Sequence, residues 1–463
     1  MNAVTWMRRA AVILVLVALA GCSATQPWKN APLAPGEVVQ YDGRAQMLDP
    51  GRATDLLVVA SFSGGGSRAA AFAHAVISEL DGHSFSWRGR QTSLAREIDM
   101  VIGVSGGSVA AAHMALHGVP DHLTRFPADF LQVDLQTRVI GAALSPARLW
   151  DQSSPWYGRG HVLSDELDAV LFDGATFGHL AQLPGRPYLM IGATDLSSGA
   201  EFDFTSEQFE LLCSSIDQVP LSFAVAASSS VPLLFSPLSL QNHHDGCSRL
   251  AAGASLLPAT AADSARVRLV KNELAAYASS GRRFIHLIDG GVSDNLGTRR
   301  IVDYVAQVGG IGAVLALLNA GPESTQRAPQ RIVLISVNSE RRAALPIDGR
   351  GEVPSTLAVL DALVYSGLGR QSEETSLVLA DAVEQWRTEL RSTLPPGTDA
   401  DIFSIEIKLS ELDDDALRDR VLAVPTAFRI SDDDLALLRQ AARQSVMRSA
   451  EFERFVQSLA PTR

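Results

Sequence analysis

Several things are scarce in this chain, and each scarcity excludes something. There are three cysteines, Cys22, Cys213 and Cys247, among 463 residues. That is too few for a disulfide-stapled scaffold, and their spacing does not form a metal-binding cluster. No block of lysine or arginine interrupts a chain of net charge −12, which argues against a nucleic-acid-binding surface. No apolar run reaches the roughly 20 residues needed to cross a bilayer. No loop has the spacing of oxygen ligands that calcium requires, and no cofactor is implied. Histidine stops at His286, leaving the remainder of the chain without one. Hydrophobic content of 46% is nevertheless ample for one large α/β domain or two medium ones.

The N-terminus carries Arg8 and Arg9 ahead of an apolar run over residues 10–20, the length of a secretory h-region. It ends in Leu19, Ala20, Gly21 and Cys22, which resembles the lipobox of bacterial lipoproteins. The resemblance implies a signal peptide over residues 1–21 and a lipidated Cys22. It also implies a location in the bacterial cell envelope, anchored through that lipid, with Ser23 favouring the outer membrane. Residues 22–50, rich in proline and glycine, read as a flexible tether. In an exported chain Cys213 and Cys247 are free to pair or to remain thiols, and sequence does not decide between the two.

Beyond residue 50, strands and helices alternate. Strands are expected at residues 56–62, 98–102, 188–194, 284–288 and 331–337, and helices at 67–80 and 106–117. Such alternation predicts an α/β fold with a mostly parallel central sheet between two helical layers. Residues 118–165 and 243–282 read as insertions. From about residue 355 the patterns are helical, over 357–368, 377–394 and 432–447, with one strand at 403–409. No linker marks off a second domain, so residues 51–463 read as one. The apolar run 311–318 reads as a buried element.

Chemistry gathers at three strand ends. Ser105 lies in Gly103, Val104, Ser105, Gly106 and Gly107 between a strand and an alanine-rich helix, the pattern of a nucleophile elbow. Ser63, Gly64, Gly65, Gly66, Ser67 and Arg68 follow the first strand. The spacing is wrong for a phosphate loop and lacks its lysine, whereas free glycine amides beside a serine suit an oxyanion. A base is still required. A histidine placed after the acid, the usual order of a triad on this kind of sheet, is ruled out once His286 is passed. His74, His113 and His117 lie upstream on apolar helical patterns that packing explains. Asp289, at the end of the 284–288 strand and followed by Gly290 and Gly291, is the remaining candidate. Asp195 and Asp294 read as turn residues.

Taken in order, residues 64–68, 103–107 and 289–291 resemble the three motifs of the patatin-like phospholipase family. Residues 193–199 and 224–232 resemble two further segments of it, so the likeness covers about residues 55–300. Ala69 and the Leu296–Gly297 pair depart from the usual pattern without touching reacting groups. The resemblance implies a Ser105–Asp289 catalytic dyad and an oxyanion hole built from Gly64, Gly65, Gly66 and Gly106. Arg68, Gly103, Gly107, Gly290 and Gly291 would support these motifs, with Arg68 either bracing its loop or meeting a lipid phosphate. The implied activity is hydrolysis of lipid acyl esters, with membrane lipids as substrates. Acyl transfer to a lipid acceptor and a silent lipid-binding scaffold are the alternatives.

Overall fold

The computed structural model describes residues 27–47, 55–244, 259–260, 263–278, 281–319, 329–339, 349, 351–395 and 398–459. The signal-like run, Cys22 and Cys247 lie outside the described residues; Cys213 is disulfide-bonded.

Strand β1 (Leu56–Phe62) is buried along its whole length, as a run of apolar residues inside a covered sheet must be. Its even residues, Leu56, Val58, Ala60 and Phe62, face one core, while Leu57 and Val59 face the other. Helix α1 (Gly66–Gly82) follows, then β2 (Ile98–Val104) and α2 (Gly106–His117). Both helices are alanine-rich on their inner turns, which lets them pack closely on each other and on the sheet. Gly118, at φ 80°, ends α2 and donates its N–H to the carbonyl of Met114. The expected insertion at 118–165 is helical: α3 (Val119–Phe126), α4 (Leu135–Ala143) and α5 (Arg159–Leu167).

The order continues with β3 (Tyr188–Asp195), β4 (Glu201–Asp203), α6 (Leu221–Ser228), β5 (Leu238–Gln241) and β6 (Phe284–Ile288). Beyond these come α7 (Arg299–Val308), α8 (Ile311–Asn319), β7 (Arg331–Asn338) and α9 (Thr356–Thr393). The chain closes with β8 (Asp401–Lys408), α10 (Asp415–Leu422), α11 (Asp432–Arg448) and α12 (Ala450–Ser458). The eight-stranded sheet runs β8-β7-β1-β2-β3-β6-β5, with β4 paired to β3. Strands β8, β7, β1, β2 and β3 are parallel; β4, β6 and β5 are antiparallel to their neighbours. Helices α1, α2, α6 and α11 cover one face, and α7, α8 and α9 the other.

Three outcomes differ from the expectations, and a further one adds the neighbour that the C-terminal strand joins. The tether does not extend to residue 50. Tyr41 is fully buried and stacks on Tyr188 with centroids 5.1 Å apart, and Asn30 bonds to Ser214, so residues 27–47 belong to the folded body. The helical patterns at 357–368 and 377–394 are one helix, α9, of 38 residues. The C-terminal strand pairs with β7 over eight residues, making the last third part of the central sheet. Finally, α8 buries Ile311 and Leu318 but leaves Leu317 exposed, so the run at 311–318 is only partly a core element. No single described helix is long and apolar enough to cross a membrane.

Where α1, α2 and α3 meet, their histidines form a buried chain. His74 Nδ1 lies 3.4 Å from His122 Nε2, His122 Nδ1 lies 3.2 Å from His113 Nδ1, and His113 Nε2 reaches Asp129 at 3.3 Å. Burial lowers His74 and His113 to about 4, and it lowers His117 and His122 as well. These rings stay neutral in the fold but take up protons near pH 6.5 once unfolded. The contribution of these histidines to stability is therefore full above about pH 6.5 and is lost as the pH falls toward 4, by about 3 kcal/mol for His74 alone. Denaturant midpoints measured across that interval should fall steeply. His74→Gln, which cannot titrate, should flatten the slope; an unchanged slope would remove His74 from this account.

Candidate active site

Ser105 occupies the single residue between β2 and α2, at φ 50° and ψ −125°. A non-glycine residue in that conformation is strained, and the strain turns its hydroxyl out of the sheet. Its N–H is held by the Ser228 hydroxyl at 2.8 Å, and that hydroxyl in turn donates to the Gly192 carbonyl at 2.5 Å. The elbow is thus tied to both α6 and β3.

Asp289 reaches Ser105 from an unexpected direction. Strand β6 is antiparallel to β3, with Ile288 opposite Thr194, so its C-terminal end descends alongside Gly192 and meets the ends of β2 and β3 there. The Asp289 N–H donates to the Ser230 carbonyl at 2.9 Å, and the Thr194 hydroxyl donates to the Asp289 carbonyl at 2.8 Å. The side chain is then fully engaged. Ser105 Oγ donates to Asp289 Oδ2 at 2.7 Å, and the Gly291 N–H donates to Oδ1 at 2.9 Å. Ser105 is 7% exposed and Asp289 6%. Burial raises the Asp289 carboxyl to about 6, against the lowering effect of its bonds from Ser105 and Gly291.

The glycine loop lies directly against the elbow. A Cβ on Gly106 would stand 2.0 Å from the Gly66 carbonyl oxygen, so only glycine fits there. Gly65 and Gly66 have φ 139° and 62°, and a Cβ on Gly66 would meet the Ala427 carbonyl at 2.6 Å. The N–H groups of Gly65, Gly66 and Gly106 have no acceptor among the described residues, which leaves them available to an anion beside Ser105. Gly64 is different. Its N–H already donates to the Asn295 carbonyl at 3.0 Å, so its part in the loop is to hold shape, and it is withdrawn from the oxyanion donors. Arg68 is buried and donates to the Val424 carbonyl at 2.8 Å, while the Ser67 N–H donates to the Ala427 carbonyl at 2.7 Å. A turn between α10 and α11 therefore clamps the loop.

The remaining sequence candidates fall outside this centre. Gly103 and Gly107 let α2 approach β2 and the end of β1; Gly290 lies against the Gly192 carbonyl, where a Cβ would come within 2.2 Å. Asp195 accepts from the Ser197 N–H at 3.0 Å and pairs with Arg282, and Asp294 accepts from the N–H groups of Leu296 and Arg299, so each carboxylate serves its own turn. His74 and His113 belong to the buried chain already described, half-buried His117 packs against His113 with centroids 4.4 Å apart, and none of the three is bonded to Ser105. Sequence reasoning passed over Thr194, Ser228, Ser230, Asn295 and Ser339. The Ser339 hydroxyl donates to the Gly64 carbonyl at 2.9 Å, and the Asn295 amide is held by Ser372 at 3.3 Å. Thr194, Ser228 and Ser230 fall inside the two family-like segments, which was their only signal. Among the described residues no group of His, Cys, Asp or Glu is arranged to hold a metal ion.

A three-layer α/β body with a serine elbow, free glycine amides and a carboxylate at adjoining strand ends has the parts of a serine hydrolase. The model of the patatin-like phospholipase family matches residues 60–301, more than half of the chain, and the chain belongs to that family. Among solved structures it is similar to human GIVD cytosolic phospholipase A2 at 11% identity, with 92% of this chain over 68% of that one and a TM-score of 0.44. It is also similar to VipD from Legionella pneumophila at 11% identity, covering 88% and 67% of the two chains, with a TM-score of 0.32. No curated protein matches it in sequence.

Proposed function

We propose that the protein is a carboxylic ester hydrolase that removes acyl chains from lipids through a Ser105–Asp289 dyad, working from a lipid anchor at Cys22 in the bacterial envelope. The observation that carries the chemistry is the 2.7 Å bond from Ser105 Oγ to Asp289 Oδ2 in a setting with no histidine partner. The anchor rests on the lipobox-like sequence ending in Cys22.

In this reading Ser105 Oγ attacks the ester carbonyl carbon while its proton passes to Asp289 Oδ2. The carbonyl oxygen, now negative, is received by the N–H groups of Gly65, Gly66 and Gly106, each worth roughly 3 kcal/mol in comparable hydrolases. The C–O bond to the alcohol breaks, and the departing oxygen takes the proton from Asp289. Water then attacks the acyl-serine, Asp289 accepts its proton, and fatty acid leaves as Ser105 recovers a proton from the carboxyl.

A base raised to about 6 must lose its proton before it can act. The rate constant kcat/KM should therefore rise about tenfold per pH unit below 6 and level off above it. A midpoint near 4 would mean that folding does not raise the carboxyl, and a profile flat from pH 4 to 7 that the carboxylate does not set the rate. A fluorophosphonate probe should label Ser105 with the same pH dependence, and incubation with a lipid carrying a labelled acyl chain should release free fatty acid. Transfer of the label to an added lysolipid instead would make the protein an acyltransferase, and absence of any labelling of Ser105 would defeat the proposal.

A further inference from the structure

The helix that positions Ser105 leads into an apolar loop that the fold leaves uncovered. After α6, Ser230 spends its carbonyl on the Asp289 N–H, and the next residues are Val231, Pro232, Leu233, Leu234 and Phe235. Leu233 and Leu234 are 59% and 58% exposed. Leu233 also has φ 74°, a conformation that is costly for a branched side chain. Neither the exposure nor the strain is offset by packing among the described residues. The loop is nonetheless held firmly. The N–H groups of Leu234 and Phe235 donate to the Val231 carbonyl at 3.2 and 3.0 Å, and Phe235 meets Phe428 edge-on with centroids 5.6 Å apart.

The charge beside it is equally unspent. Arg159 donates from Nη2 to the Leu233 carbonyl at 2.9 Å and has no carboxylate partner among the described residues. This is an exposed guanidinium without a counter-ion in a chain of net charge −12, fixed to the base of two exposed leucines. A third feature lies nearby in sequence: Trp156 is 43% exposed and packs edge-on against Trp28 at 5.7 Å. Trp28 is six residues from Cys22, a distance that a chain covers in at most about 20 Å.

We infer that the Leu233–Leu234 loop is a membrane-docking element that inserts its leucines among the acyl chains of a bilayer, while Arg159 meets an anionic lipid phosphate. An apolar tip with a cation at its base suits a bilayer surface, where acyl chains lie beneath phosphates, and an exposed tryptophan three residues from that cation suits the same surface. The loop starts beside Ser230, which holds the Asp289 N–H, and its Phe235 packs on Phe428, next to the Ala427 that clamps the glycine loop, so docking is coupled through the backbone to both parts of the site. The inference rests on the lipid-hydrolase reading and extends it to how substrate is met.

The test uses the full chain in vesicles of phosphatidylcholine, with and without phosphatidylglycerol. A polarity-sensitive fluorophore on Leu234→Cys, read against the unsubstituted chain treated alike, should brighten and shift to the blue with vesicles, more so with the anionic lipid. In unlabelled protein, Leu233→Ser combined with Leu234→Ser should lower the ratio of vesicle-lipid hydrolysis to soluble short-chain ester hydrolysis by about tenfold. A label that stays in water on vesicles, or an unchanged ratio, overturns the inference. So does a label that responds to protein concentration without vesicles, which would make a second copy the occupant. A chain that hydrolyses no ester defeats the lipid-hydrolase reading, while the label still decides the docking.

Discussion

Ser105→Ala should lower ester turnover by about four orders of magnitude or more and abolish fluorophosphonate labelling, with the circular dichroism spectrum unchanged. The size of the loss follows from the removal of the nucleophile, after which only the glycine donors and binding remain. Little else depends on the hydroxyl, because it makes a single bond, to Asp289. The backbone of the elbow is held independently by Ser228. Alanine at φ 50° pays the same strain as serine, so the fold has no reason to relax. Turnover of a purified variant within tenfold of the parent would place the nucleophile elsewhere.

Asp289→Asn should have an effect nearly as large on activity, about 10⁴-fold in kcat, and the opposite effect on stability. Asparagine has the same shape and can keep both contacts, accepting from the Gly291 N–H and donating its amide to Ser105 Oγ. That substitution turns the proton acceptor into a donor, so the serine proton has no destination. Stability follows from the carboxyl being raised to about 6 from 3.8. A carboxylate pushed upward on folding holds its proton more tightly in the native state. The native state is therefore favoured below about pH 4 and loses that advantage as the pH rises through 6, a cost of about 3 kcal/mol at neutral pH. The asparagine variant is spared this cost, and its thermal midpoint should exceed the parent's at pH 7.5 while the two converge near pH 4. A variant that is inactive and also less stable at pH 7.5 would show that the loss came from disturbed packing.

Much of the site was legible because its chemistry needs backbone shapes that few residues permit. Gly65, Gly66 and Gly106 announce close approach and positive φ, and Ser105 between apolar strand and alanine helix announces an elbow. The continuous apolar runs of β1, β2 and β3 likewise declare strands covered on both faces. What stayed hidden is whatever depends on distant partners. The direction of β6 is not written in its five residues, since Phe284–Ile288 fits a parallel or an antiparallel place equally well. The same holds for β8, whose alternating residues give a strand but not the sheet it joins. Tyr41 sits in a proline- and glycine-rich stretch whose composition suggests a tether, and its burial between Phe177 and Tyr188 was decided by tertiary contacts. The withdrawal of Gly64 from the oxyanion donors depends on Asn295, far along the chain, and no local pattern reports it.

The clamp on the glycine loop has a consequence for biosynthesis. Ser67 and Arg68 are secured by the carbonyls of Ala427 and Val424, and Val424 is translated 356 residues after Arg68. A chain emerging N-terminus first would carry its nucleophile and its base long before it could fix the amides that make them effective. The glycine loop would thus take its final shape only once residue 427 had been made, well after the elbow and the carboxylate it serves.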